Sequence, residues 1–228
     1  MEFALLVLDD DGYYKLELAG GYCDRRCSIC RKCINNRNIA VVIREENAKF
    51  YQKYVLDHQV KTAELCRKTS EAFSLTESEK EILIQAALLH DVGKLFIPFK
   101  ILSKSVPLSP FEKKIIQLHP SKGAEWLRER GFSEDITAVV ESHHERVDGL
   151  GYPYGLKGDE IPYLAKVLSV CDAFEVMISG RHYKNPKTIK EALEELKKGA
   201  GTQFDSYTAK VLIEILDKEE MINVQNWA

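Results

Sequence analysis

The chain of 228 residues carries 32 Lys and Arg against 35 Asp and Glu, a net charge of −3, with 45% apolar and 29% charged residues. These fractions match ordinary globular usage of about 45–50% and 25%, which excludes a wholly disordered, collagen-like or coiled-coil chain. The slightly negative balance gives no overall attraction to a nucleic-acid polymer, while leaving room for a local basic site that holds a phosphate.

In chain order, Phe3 to Leu8 and Tyr13 to Leu18 are strand-like runs around Asp11-Gly12, a hairpin signal, and Ile39 to Ile43 is a third β-branched run. The first run is far shorter than the roughly 18–20 apolar residues that span a bilayer. It also lacks a basic flank and a small-residue cleavage site, so a cytoplasmic protein without membrane attachment is expected. Between the second and third runs lie Cys23, Cys27, Cys30 and Cys33. In a cytosolic chain such a cluster points to metal before disulfides. From Glu46 onward apolar residues recur three and four apart, starting with Tyr51, Tyr54, Val55, His58, Ala63 and Leu65 in one expected helix. Thr76 and Glu79 have capping-box spacing and open a helix to about His90. Further helices are expected over Ser109 to Leu118, Pro120 to Glu129, Ser133 to Glu145, Tyr163 to Ser179, Pro186 to Lys197 and Asp205 to Leu216. The expected division is a small β-rich, cysteine-containing module over 1–45 and a helical domain over 46–228, a mainly α chain.

Five of the six histidines stand near the ends or faces of these helices beside other ligand types: His58 next to Asp57, His90-Asp91, His119, and the pair His143-His144. Asp172 follows the apolar run Val167 to Cys171. Imidazole and carboxylate are ligands for iron, manganese, zinc and similar cations, and a carboxylate can bridge two ions. Adjacent helical residues point about 100° apart, so His143 and His144 share one cluster only at a helix end, or else serve different ions.

The ordered motifs His90-Asp91-Val92-Gly93-Lys94, His119-Pro120, the run from His143 through Gly149-Leu150-Gly151-Tyr152-Pro153, and Val170-Cys171-Asp172-Ala173-Phe174 resemble those of the HD-GYP subgroup of HD phosphohydrolases. The similarity spans roughly residues 46 to 220. It implies an all-helical HD-type bundle and a cyclic di-GMP phosphodiesterase in which a metal-bridging hydroxide opens the ring to pGpG, with GMP as a further product. It also implies one metal held by His58, His90, Asp91 and Asp172 and a second by His119, His143, His144 and bridging Asp91, with iron or manganese favoured. Catalytic roles fall to Asp91 and to Lys94, which would offset phosphate charge. Gly151, Tyr152, Pro153 and Arg181 would contact substrate, and the Gly-Tyr-Pro loop would dock GGDEF-type signalling partners.

Tyr54 stands where some relatives carry a glutamate for a third metal, so a binuclear site is expected. Glu175 replaces an aspartate, a change expected to bear on substrate fit and rate. The four-cysteine cluster lies outside the motifs and is open between structural zinc, an iron–sulfur or redox-sensing role, and free or paired thiols. Two other functions compete with the enzyme: a catalytically weak or inactive cyclic di-GMP-binding or partner-binding module, and a di-iron oxygenase built on the same ligand set.

Overall fold

A computed structural model describes residues 2–8, 14–20, 45–179 and 185–225 of the chain. Strands β1 (Glu2–Leu8) and β2 (Tyr14–Gly20) pair antiparallel, Glu2 opposite Gly20 and Leu8 opposite Tyr14. The expected run 39–43 and the four cysteines of the cluster, Cys23, Cys27, Cys30 and Cys33, lie outside the described residues.

Among the described residues the other elements are helical: α1 (Glu45–Tyr54), α2 (Leu56–Thr69), α3 (Glu77–Leu89), a 3-10 turn (Val92–Phe96), α4 (Phe99–Leu102), α5 (Pro110–Ile116), α6 (His119–Glu129), α7 (Glu134–Ser142), a 3-10 turn (Gly158–Glu160), α8 (Tyr163–Ser179), α9 (Ile189–Gly199) and α10 (Ser206–Gln225). Helix starts are chemically marked. Thr76 with Glu79, Ser109 with Glu112 and Thr188 with Glu191 each form a full capping box, satisfying backbone N–H groups that a first turn leaves without partners. The one helix expected over Tyr51 to Leu65 is two, α1 and α2, meeting at Val55. The ladder continues across the join, Val55 N–H to Tyr51 O at 2.8 Å and Gln59 N–H to Val55 O at 2.9 Å, so the pair is a bent rod. The bend buries both Tyr51 and Val55, and Tyr51 donates its hydroxyl to Gln59 at 2.6 Å.

α2, α3, α7 and α8 pack on one another, with α6 closing on α7 and α9 and α10 covering α8. Their shared interior holds Leu83, Ala86, Val140, Val167, Leu168, Cys171 and Leu212, all fully buried. Each large aliphatic side chain there stabilises the fold by about 1.5–3 kcal/mol, which is what fixes the helix ends against one another. Among the described residues no helix is long and apolar enough to cross a membrane.

Candidate metal centre

Three helix ends and two helix faces deliver the polar residues to the middle of this bundle. α3 stops at Leu89, leaving His90 as its cap and Asp91 at the start of the following 3-10 turn. α6 starts at His119, with Pro120 in its first turn where a missing N–H costs nothing. α7 stops at Ser142 rather than at the expected Glu145, so His143 and His144 fall in the turn after it. That early end is how two consecutive histidines reach one cluster. The first turn of α2 supplies His58, and Asp172 and Glu175, three apart on α8, lie across from it.

The contact between the 3-10 turn and α6 depends on glycine. A Cβ at Gly93 would stand 1.8 Å from the carbonyl oxygen of His119 and 2.7 Å from the backbone N of Gly123. Only a residue without a side chain lets the Asp91 turn lie directly on the start of α6, bringing Asp91 Oδ1 to 3.1 Å from His119 Nε2.

Around Asp91 the rings face inward through Nε2. His58 Nε2 is 3.2 Å from His90 Nε2 and 2.9 Å from Asp172 Oδ1, and His119 Nε2 is 3.4 Å from His143 Nε2. The other ring nitrogen is held from behind. His90, His119 and His143 place Nδ1 at 2.7, 2.8 and 2.6 Å from the carbonyls of Ala87, Ile116 and Val140. A carbonyl only accepts, so Nδ1 carries the proton and Nε2 presents its lone pair to the centre. His58 Nδ1 is backed by the Glu175 carboxylate instead. Lys94 pairs with Asp91 Oδ2.

Charge follows from these neighbours. Burial raises the Asp91 and Asp172 carboxyls, but Lys94 and the imidazoles around Asp91, and His58 with its neighbours around Asp172, outweigh it and hold both well below the usual carboxylate range. Burial pushes His90 and His143 down, and His144 down to about 3. Burial also disfavours a charged His58, yet Asp172 and Glu175 overcome it and raise that group to about 9. Ionised carboxylates and neutral imidazoles are the protonation states that bind a cation, so a cation at His58 would displace the proton that Asp172 and Glu175 hold there.

The donor set fits divalent metal. Asp91, His119, His143 and His144 offer ligand atoms within 4.8 Å of one another, as do His58, His90 and Asp91, so the two groups share Asp91. Asp91 Oδ1 and Asp172 Oδ1 are buried and have no aligned hydrogen-bond donor, although ring nitrogens stand close to each. Buried carboxylate oxygens left in that state are the atoms a cation would satisfy.

A family model described as HD domain matches residues 30–207. The chain belongs to the HD domain family. The resemblance drawn from its motifs holds at that level. Among similar proteins are 3'3'-cGAMP-specific phosphodiesterase 2 of Vibrio cholerae, 34% identical over 163 residues that make up 71% of this chain and 31% of that protein. The cyclic di-GMP phosphodiesterase response regulator RpfG of Xanthomonas campestris is 37% identical over 146 residues, 63% of this chain and 39% of that one. A cyclic di-GMP phosphodiesterase of Thermotoga maritima is 36% identical over 165 residues, 71% and 44%. The HD domain chain thus spans 31 to 44% of the length of the curated relatives it matches. In fold it is similar to Bd1817, an HDG"Y"P protein from Bdellovibrio bacteriovorus, with a TM-score of 0.59, 23% identity and coverage of 70% of this chain and 51% of that one.

Beside the His144 ring of this HD domain, the Tyr152 ring lies tilted with centroids 4.8 Å apart. The backbone of Gly151 passes so close to Glu145 and Arg146 that a Cβ would meet Arg146 N at 2.4 Å. Pro153 follows Tyr152 through a cis bond. Glu145 was visible in the sequence only as a motif letter; its buried carboxylate accepts the N–H groups of Tyr154, Gly155 and Leu156 at 2.7, 3.2 and 3.0 Å and so anchors this loop. Glu175, read from the sequence as bearing on substrate fit, touches His58. Arg181 lies outside the described residues.

Proposed function

We propose that this HD domain hydrolyses a phosphodiester bond of a cyclic dinucleotide, cyclic di-GMP foremost, to linear pGpG and onward to GMP. The observation that carries the reading is the buried convergence of five imidazoles and Asp172 around a shared Asp91. At His58 and Asp91 that cluster borders a cleft of about 790 Å³ also lined by Lys53, Lys61, Lys94, Lys104 and Lys113. Such a volume suits an organic ligand of nucleotide size, and the lysines complement phosphate. Its relatives' names point the same way.

Two ions, iron or manganese by preference, would be held by His58, His90, Asp91 and Asp172 and by Asp91, His119, His143 and His144. When bound they supply Lewis-acid stabilisation of phosphoryl charge and an acidified water. The chain's residues do the rest. Asp91 joins the two ligand groups, Lys94 beside it meets a phosphoryl oxygen as negative charge grows there, and the backbone carbonyls behind His90, His119 and His143 keep each Nε2 aimed. Gly151, Tyr152 and Pro153 line the approach to His144, and Arg181 takes substrate. Water adds to phosphorus while the bond to the ribose 3' oxygen breaks, leaving the 5'-phosphate of pGpG.

Residues 1–45 are proposed as a separate β-rich module with Cys23, Cys27, Cys30 and Cys33 as a zinc or iron–sulfur site. A second reading is a cyclic di-GMP-binding or partner-binding module, favoured by Leu150 and Tyr154, which expose 78% and 63% of their surface on the Gly-Tyr-Pro loop and would suit a GGDEF-type protein. The test is turnover of cyclic di-GMP by anaerobically purified chain, with metal quantified on the same sample, against His90→Ala and Lys94→Ala. Turnover lost in both variants supports the enzyme. Tight nucleotide binding with metal but no product in the wild type supports the second reading.

A further inference from the structure

The cleft has a second wall that the metal chemistry does not use. Along the cleft, Phe50 and Tyr54 sit one turn apart on α1 with ring centroids 5.0 Å apart, and Phe99 of α4 stands edge-on to Phe50 at 6.0 Å. Phe50 is half-buried, whereas Tyr54 keeps 41% of its surface exposed at the cleft. A partly exposed phenol ring held by Phe50, which is itself backed by Phe99, is a flat π surface. Tyr54 also precedes His58 by one turn of the bent rod, so the ring and the first ligand share a face. Next to it, Lys53 rests its ammonium 4.9 Å from the Tyr54 ring centre. Lys53 and Lys113 line the cleft and make no ion pair with a described residue, in contrast to Lys61 and Lys104, which are tied to Asp57 and Glu112.

Resting on the phosphodiesterase reading above, we propose that Tyr54, braced by Phe50, is the stacking platform for one purine base of the dinucleotide, with Lys53 moving from the ring face to the adjacent phosphate as the base arrives. The geometry suits this pair of partners. A base and an ammonium are both attracted to the same π face, so the base displaces Lys53 toward the nearest anion the ligand brings, its phosphate. Stacking reads the flat face of a base and not its hydrogen-bonding edge. Tyr54 therefore binds guanine and adenine alike, and this subsite accepts cyclic di-GMP and cyclic GMP-AMP with similar affinity.

The test uses the full chain, treated with chelator so that nothing is consumed, titrated calorimetrically with cyclic di-GMP, cyclic GMP-AMP, linear pGpG and GMP. Tyr54→Ala and Tyr54→Leu are expected to weaken both cyclic ligands about 5- to 150-fold, the ~1–3 kcal/mol of one stacked base at about 1.4 kcal/mol per tenfold. Tyr54→Phe and Tyr54→Trp are expected to stay within about twofold of wild type. Thermal midpoints are measured alongside; Leu preserves bulk without a π face, so a loss of binding in Tyr54→Leu at an unchanged midpoint cannot be attributed to a hole. Equal binding by wild type and Tyr54→Leu overturns the platform, and if the manganese-loaded wild type still hydrolyses cyclic di-GMP the phosphodiesterase reading survives it. Tyr54-dependent binding of pGpG or GMP by a chain that hydrolyses no cyclic dinucleotide keeps the platform and removes the phosphodiesterase reading. Failure of the wild type to bind any of the four removes the platform, and absence of turnover by the manganese-loaded wild type as well removes both.

Discussion

The two sides of the site meet at Asp91 and are built on different principles. On one, His58 stands between carboxylates, Asp172 at 2.9 Å from Nε2 and Glu175 behind Nδ1. On the other, His119, His143 and His144 have no carboxylate ligand except the shared Asp91, and the first two are aimed by the carbonyls of Ile116 and Val140. The first side carries the additional carboxylates, and its His58 is oriented by side chains while its His90 is aimed by the Ala87 carbonyl. On the second side His119 and His143 are both aimed by helix-end backbone. Two carboxylates attract a divalent cation more than one does, so the His58 side is expected to hold its ion more tightly, and the His119 side to depend on backbone packing.

The change expected to do most is Asp91→Asn, which keeps the shape and removes the charge both sides use. Metal content should fall from two ions per chain toward none, and turnover should drop by more than the about 10–100-fold that losing a supporting contact costs. Retention of one full ion would break the idea that Asp91 is shared. Next is Gly93→Ala. Its methyl cannot coexist with the His119 carbonyl, so α6 must shift; overpacking of this kind costs about 3 kcal/mol. A lower urea midpoint together with selective loss of the His119-side ion is expected, and an unchanged midpoint would show that the close approach is dispensable. Third is Glu175→Gln, which weakens the carboxylate support behind His58. Chelator competition should show the His58-side ion bound about 10–100-fold more weakly with the other unaltered.

These residues also mark how far the sequence could be read. Local patterns encode local events, so the capping-box spacing of Thr76 and Glu79 placed one helix start and the start expected at Ser109 is the N-cap of α5, whereas α9 was expected from Pro186 and its box at Thr188 with Glu191 went unread. The ligand positions from His58 to Asp172 were named through ordered family motifs, and the structure brings them to one place, but spacing alone did not say that α7 ends at Ser142. Nothing in a one-dimensional pattern marks the stop. His143 and His144 leave the helix because they point inward to Asp91 and His119, partners distant in sequence. Gly93 looked like any loop glycine, since its neighbour is a backbone carbonyl 26 residues on, at His119. Glu175 was treated as a departure from a motif because its contact, His58, lies on another helix 117 residues away.

The smallest effect separates the two sides by pH, in chain stripped of metal. His58 is raised above its unfolded value of 6.5 to about 9, so it binds a proton on folding. Its contribution is fully present below pH 6.5 and is lost as pH rises through 9. His144 is lowered to about 3 and His143 is also lowered, so both are buried neutral while the unfolded chain protonates its histidines below 6.5. Their burial therefore destabilises the fold as pH falls from 6.5 toward 3. Thermal midpoints of the metal-free chain should decline on both flanks, the alkaline one through His58 and the acid one through His143 and His144 with a share from His90, which burial also pushes down. His58→Gln should flatten the alkaline flank and leave the acid one, and His144→Gln should do the reverse. If His58→Gln flattened both flanks, the two sides would be titrating as one network, and the contrast between a carboxylate-held and a backbone-held half would fail.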